Sequence, residues 1–154
     1  MTPGGSLAKV ISVEYRALAH ATESPDKIEA AILNILPIEM RSLDSVSKCY
    51  LKGHYGNPIV ILTLKIAREK AAKAATEYLF KLMSQSDRRE LDLEFEKSLD
   101  DEKNFYIRLG KQEAFKGKIV LSYEDPIRVR IKIKIWQHAQ QGEREFFKNL
   151  GMVK

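Results

Sequence analysis

The sequence predicts an α+β fold: a two-layer domain with a mostly antiparallel sheet and helices packed on one face. Three observations carry this. Several stretches alternate apolar and polar residues with period two, as strands with one buried face do. Between them lie segments whose apolar residues recur every third or fourth position, as in helices with one buried stripe. The links between successive strands are of hairpin length, whereas parallel pairing needs long crossovers.

The first strand runs from Val10 to about Thr22, with Ile11, Val13, Tyr15, Ala17 and Ala19 on one face and Ser12, Glu14, Arg16 and His20 on the other. Ser24-Pro25-Asp26 then starts a helix, supplying a capping hydroxyl, a proline suited to the first turn and an acid at the positive dipole end. Ile28, Ala31, Ile32, Ile35 and Leu36 form its stripe, and Pro37 stops it. Strands at Val46–His54 and Ile59–Ala67 flank the turn-rich Gly53-His54-Tyr55-Gly56-Asn57-Pro58. A helix follows over Glu69–Met83, and another carries Leu91, Phe95 and Leu99 at every fourth position. Short strands at Asn104–Leu109 and Lys118–Ser122 enclose one helical turn in 110–117. Asp125-Pro126 opens a long strand to about Gln137, and a last helix spans Gly142–Leu150. Residues 1–8 are expected to be a flexible N-terminus and 9–154 one domain, the size that suits a chain of 154 residues.

Composition narrows the function. Hydrophobic residues are 44% and charged residues 31%, as in a globular chain. The longest apolar runs, Ile59–Leu62 among them, are far short of the roughly 20 residues needed to cross a bilayer. No basic stretch leads into an apolar one at the N-terminus, so a cytoplasmic protein with no membrane partner is expected. Cys49 is the only cysteine, which excludes an intramolecular disulfide and a cysteine-rich zinc module. It alternates in phase with Leu51, on the side expected to be core. His20, His54 and His138 lack the spacing of a helical metal site, and 53–58 lacks the Lys-Ser/Thr ending of a phosphate loop. No catalytic constellation emerges; neither an enzyme, a cofactor nor a metal is expected.

Charge is informative once divided along the chain. The net charge is +5, yet Ser84–Glu102 holds eight acids against three bases, leaving a strong positive excess elsewhere. The excess is densest at the C-terminal strand. Ile127, Val129, Ile131, Ile133 and Ile135 share one face, and Arg128, Arg130, Lys132 and Lys134 share the other, followed in phase by Trp136 and His138. Alternate strand residues lie about 6.6 Å apart, so these cations form a row roughly 20 Å long. A row of like charges repels itself and calls for a counter-anion, and a chain of phosphates is the natural one. The same phase in the other strands gives Arg16, Lys48, Tyr50, Lys52, His54, Lys65, Tyr106 and Arg108, with Glu14 as the one clear acid. A solvated face without a partner would mix signs. Tyr50, Tyr106 and Trp136 fall in this polar phase, where flat rings among cations offer stacking to unpaired bases. No major-groove reading motif is visible, which favours RNA over DNA. The alternative is an assembly subunit whose basic face docks an acidic protein surface, such as the Ser84–Glu102 segment of a second copy in a homodimer.

The chain also resembles an archaeal family of small RNA-binding proteins described as predicted exosome subunits. The resemblance rests on His20-Ala21-Thr22-Glu23, the Gly53–Ile59 turn, Asn104-Phe105-Tyr106-Ile107-Arg108, Lys111-Gln112 with Ala114 and Gly117, and Asp125-Pro126-Ile127-Arg128-Val129-Arg130-Ile131-Lys132. Tyr55 and Gly110 depart from it, where the family often has His and Asp. It implies a single α+β domain similar to a large-subunit ribosomal protein of the L-five type. It further implies RNA binding linked to RNA processing or degradation, with exosome or ribosome-related proteins as partners and no nuclease chemistry. The contact positions it implies are His54, Asn57, Arg108, Lys111, Gln112, Arg128 and Arg130. Together with the strand-face reading, the expected RNA-contacting set is Arg128, Arg130, Lys132, Lys134, Arg108, Lys111, Gln112, His54, Asn57, Lys52, Tyr106 and Trp136.

Overall fold

Five strands form one antiparallel sheet in the order β2-β3-β1-β5-β4. The computed structural model describes residues 8–41, 46–136 and 142–153, with His54 described in its backbone only. Along the chain these residues form β1 (Ala8–Ala19), α1 (Pro25–Asn34), β2 (Ser47–Lys52), β3 (Pro58–Ile66), α2 (Glu69–Leu82), α3 (Gln85–Leu93), α4 (Phe95–Ser98), β4 (Asn104–Leu109), α5 (Lys111–Phe115), β5 (Ile127–Ile135) and α6 (Glu143–Phe147). The mixed α+β class expected from the sequence is the class observed.

The alternation of apolar residues explains the layers. Val13, Tyr15, Ala17 and Ala19 of β1 point the same way as Leu62, Leu64 and Ile66 of β3, Phe105, Ile107 and Leu109 of β4, and Ile127, Val129, Ile131 and Ile133 of β5. All are buried. They meet the stripes of α1 (Ile28, Ala31, Ile32) and α2 (Ala72, Ala75, Leu79, Phe80) in one core. The C-terminal segment closes this core: the Phe147 ring lies 4.5 Å from Phe105, 5.8 Å from Phe95 and 6.3 Å from Phe80, centroid to centroid. Such ring clusters bury large apolar areas and gain further from edge and offset geometry. No helix among the described residues is long and apolar enough to cross a membrane.

Several element boundaries differ from the periodicity. β1 already begins at Ala8 and stops at Ala19, because His20 and Glu23 close a turn in which each accepts a bond from the other's backbone N–H. Ser24 caps α1 as expected, its hydroxyl accepting from Lys27 N–H. The acidic stretch breaks at Glu94 into α3 and α4, and Leu99 bridges to Phe105 instead of extending a helix. The expected strand at Lys118–Ser122 is reduced to a single bridge, Leu109 to Leu121, because β4 ends beside it. α5 ends at Phe115, and two residues on Gly117 turns the chain away with a φ of 78°, the left-handed conformation that glycine adopts without steric cost. β5 ends at Ile135, and the expected continuation to Gln137 lies outside the described residues, as does His138.

The largest correction concerns β2. Its register pairs Lys48 with Leu62, Tyr50 with Val60 and Lys52 with Pro58. Lys48, Tyr50 and Lys52 therefore lie on the helix side, and Ser47, Cys49 and Leu51 on the open side. Cys49 is exposed, not a core residue. The reason is physical: β2 is an edge strand reaching past most of the helix layer, so nearly all its residues meet water and polarity no longer reports the face. Lys48 confirms the side, with its ammonium 2.9 Å from Glu29 and 3.6 Å from Asp26 on α1.

Candidate nucleic-acid interface

On the side of the sheet away from the core, strand pairing sets the open-face residues into rows. One row runs Lys65, Glu14, Arg130, Tyr106 across β3, β1, β5 and β4. The next runs Thr63, Arg16, Arg128, Arg108, placing three arginines side by side on three adjacent strands. Neighbouring strands are about 4.8 Å apart, so these guanidinium groups share one local field. Further along β5, Lys132 pairs with Ser12 and Asn104, and Lys134 with Lys9. Arg16, Lys65, Arg108, Lys132 and Lys134 are exposed, and Arg128 and Arg130 are half-buried.

Glu14 sits in the middle of this array, 3.3 Å from Arg130 and 3.9 Å from Arg128. Its carboxylate offsets part of the repulsion between them. Arg128 also lies over the Tyr106 ring, 5.4 Å from its centroid, and its buried Nε has no hydrogen-bond partner among the described residues. The Tyr106 hydroxyl donates to Asp100 at 3.1 Å. Partial burial, then that bond, pushes the phenol up from its usual range, so it stays protonated as the donor. Lys9 and Lys134 lie 5.7 and 5.1 Å from the Trp136 ring, and Lys9 also meets Glu69 at 2.9 Å.

The motif residues meet at one end of the sheet. Ala19 pairs with Val60, and Arg16 and Arg108 both pair with Arg128, so the end of β1, the β2–β3 turn, the start of α5 and the start of β5 are neighbours. There Lys111 places its ammonium 2.7 Å from Asp125 and 3.2 Å from Glu23, and donates to the Leu18 carbonyl. His20 Nε2 lies 3.1 Å from the other Asp125 oxygen. Atoms of His20, Glu23 and Asp125 all lie within 4.8 Å of one another, close enough for metal ligands, but the cation they surround is Lys111's own. Only 9% of the Lys111 side chain is exposed, so it locks the β1–α1 corner to α5 and β5. Gln112 and Asn57 are exposed, and the His54 backbone lies in the short 3-10 turn His54–Gly56.

These carboxylates give the fold an acid limit. Burial works to raise the Asp125 pKa, but hydrogen bonds from Lys111 and His20 outweigh it and hold the carboxyl below its ordinary value. The Asn104 backbone N–H leads the groups that do the same to Asp100, and the Lys103 bond leads for Glu143. A carboxyl depressed in the folded state contributes stability above its unfolded pKa and loses it as pH falls through the folded one. The midpoint of urea unfolding should hold steady from pH 7 to about 5 and fall steadily below about 4. A midpoint unchanged at pH 3 would contradict these pairings.

The acidic segment is largely used inside the molecule. Asp87 accepts from Leu121 N–H, Glu90 from the Tyr123 hydroxyl at 2.6 Å, and Asp92 and Glu96 from Arg144. Asp100 holds Asn104 and Tyr106.

The structure thus brings Arg108, Arg128, Arg130, Lys132, Lys134, Tyr106 and Trp136 onto one face. Lys111, Gln112, His54 and Asn57 border one end of it, and Lys52 lies on the helix side. Arg16, Lys65 and Lys9 join the face without having been in the expected set. The outward phase of Arg16 and Lys65 was the signal for those two. Lys9 was hidden by a register shift between Val10 and Ser12, which turns Val10 inward and Lys9 outward.

A family model described as RNA binding matches residues 12–133. RNA-binding protein PAB1135 of Pyrococcus abyssi is 34% identical over 125 residues, covering 80% of this chain and 81% of that protein. An uncharacterised protein of Methanocaldococcus jannaschii is 30% identical over 137 residues, covering 86% and 91%. Among solved structures, protein AF2318 of Archaeoglobus fulgidus superposes with a TM-score of 0.78 at 27% identity, over 92% of this chain and 99% of that one. Protein SSO0741 of Sulfolobus solfataricus, with a TM-score of 0.71 at 21% identity over 91% and 96%, shares the fold. With the family model spanning the sheet from β1 to β5, the chain belongs to this RNA-binding family.

Proposed function

We propose that this chain is a non-catalytic, cytoplasmic RNA-binding protein whose ligand lies on the open face of the sheet, and that it serves RNA processing or degradation beside the exosome. The observation that carries the reading is the row Arg16–Arg128–Arg108, three arginines side by side on adjacent strands, whose charge the single carboxylate of Glu14, 3.9 Å from Arg128, offsets only in part. Phosphates relieve that repulsion, and the counterions they release add to affinity. Arg130, Lys132, Lys134 and Lys65 extend the contact, and His54, Asn57 and Gln112 border it at one end. Lys111 serves by fixing the corner. The family and the name of the Pyrococcus relative support RNA as the ligand. The exosome link rests on the motif resemblance alone.

An acidic protein surface would also suit these cations. The acidic segment of a second copy suits them less, since Asp87, Glu90, Asp92, Glu96 and Asp100 already hold internal partners. Salt dependence tests the phosphate reading. With about five phosphates neutralised, log affinity should fall with log salt at a slope between about −3.5 and −4.5. A slope near zero would remove the basis for it.

A further inference from the structure

We propose that the open face recognises the paired backbone of duplex RNA and not the bases of a single strand. This rests on the reading of that face as the RNA platform. The first observation is that its rings are already in use. Tyr106 is held by Asp100 through its hydroxyl and lies beneath the Arg128 guanidinium, and Trp136 lies within 5.7 Å of both Lys9 and Lys134. A base stacking on either ring would have to displace these cations from the attraction of the ring face. Tyr50, the third ring expected to stack, lies on the helix side of the sheet. The rings therefore order the cations that surround them.

The second observation is the shape of the array. A single strand presents one line of phosphates, which a line of cations would match. Here the cations spread in two dimensions. Arg128 to Lys134 extends roughly 20 Å along β5, while Lys65, Arg16 and Arg108 flank it over about 14 Å across the strands. Two phosphate strands flanking a groove fill such a field. Recognition of paired RNA works in this way, through shape and backbone contacts without access to base edges. The sheet should accordingly be indifferent to sequence.

The test is fluorescence anisotropy on the full chain with end-labelled RNAs of one length: a U-rich strand, an A-rich strand, and two duplexes of unrelated sequence. The duplexes should bind within threefold of each other and at least tenfold more tightly than either strand. Tyr106→Leu and Trp136→Leu, checked for folding by circular dichroism, should weaken duplex and single-strand binding by the same factor, because each ring orders the cations around it and stacks no base. Tighter binding of a single strand, with a tenfold or greater loss in either variant, would overturn the duplex assignment and leave the face as the RNA platform. Binding of neither form would overturn the platform itself, and the duplex assignment with it.

Discussion

Replacing Arg108 and Lys132 together by glutamate is expected to weaken RNA binding by about 100-fold or more while leaving the fold intact. Both side chains are exposed on the open face, and neither is in an ion pair among the described residues. Each change removes one phosphate contact and substitutes a repulsive charge. At about 1.4 kcal/mol for each change, the pair reaches two orders of magnitude. The salt slope should also flatten by about two contacts' worth. Arg130 is a less clean target, since a glutamate there would face Glu14 across the strand pair and strain the sheet itself. Titration of the double variant with RNA checks the expectation, with the thermal midpoint as the control. Undiminished affinity would move the ligand off this face.

The second expected result separates stability from binding. Phe147→Ala should lower stability by about 3–5 kcal/mol, because the ring is fully buried and its loss leaves a cavity among Phe80, Phe95 and Phe105. For a chain of this size the thermal midpoint should drop by about 10–15 °C. At 25 °C the folded variant should bind RNA as the parent does, since Phe147 lies beneath the sheet and the cations lie above it. A small change in melting would mean that the C-terminal segment is not part of the core. A matched loss of affinity would mean that the core and the face are coupled.

What the sequence made legible followed from burial. In β5 Ile127, Val129, Ile131 and Ile133 are buried, so the opposite phase could only be Arg128, Arg130, Lys132 and Lys134. The α1 stripe was readable for the same reason, and its Ser24 cap because it records a local contact. β2 was not, because an edge strand exposed on both faces carries no such record, and Lys52, Tyr50 and Cys49 fell on the wrong sides. Lys9 escaped because one extra residue in β1 inverts the alternation before it. Lys111 was visible as a charge, but its partners Glu23 and Leu18 lie 88 and 93 positions away. Only the fold shows that its ammonium is spent on the corner. The Asp100 clamp on Tyr106 depends likewise on the turn at Asp100–Asn104, whose Lys103 has a φ of 67°.

Protection of lysines from acetylation in the presence of RNA, read by mass spectrometry, tests most directly where the ligand lies. Lys65, Lys132 and Lys134 are exposed on the open face, and Lys73 and Lys81 are exposed on α2 in the opposite layer. The expected result is strong, RNA-dependent protection of the first three with the α2 pair modified as in the free protein. Protection of Lys73 and Lys81 with Lys132 and Lys134 unchanged would contradict the account.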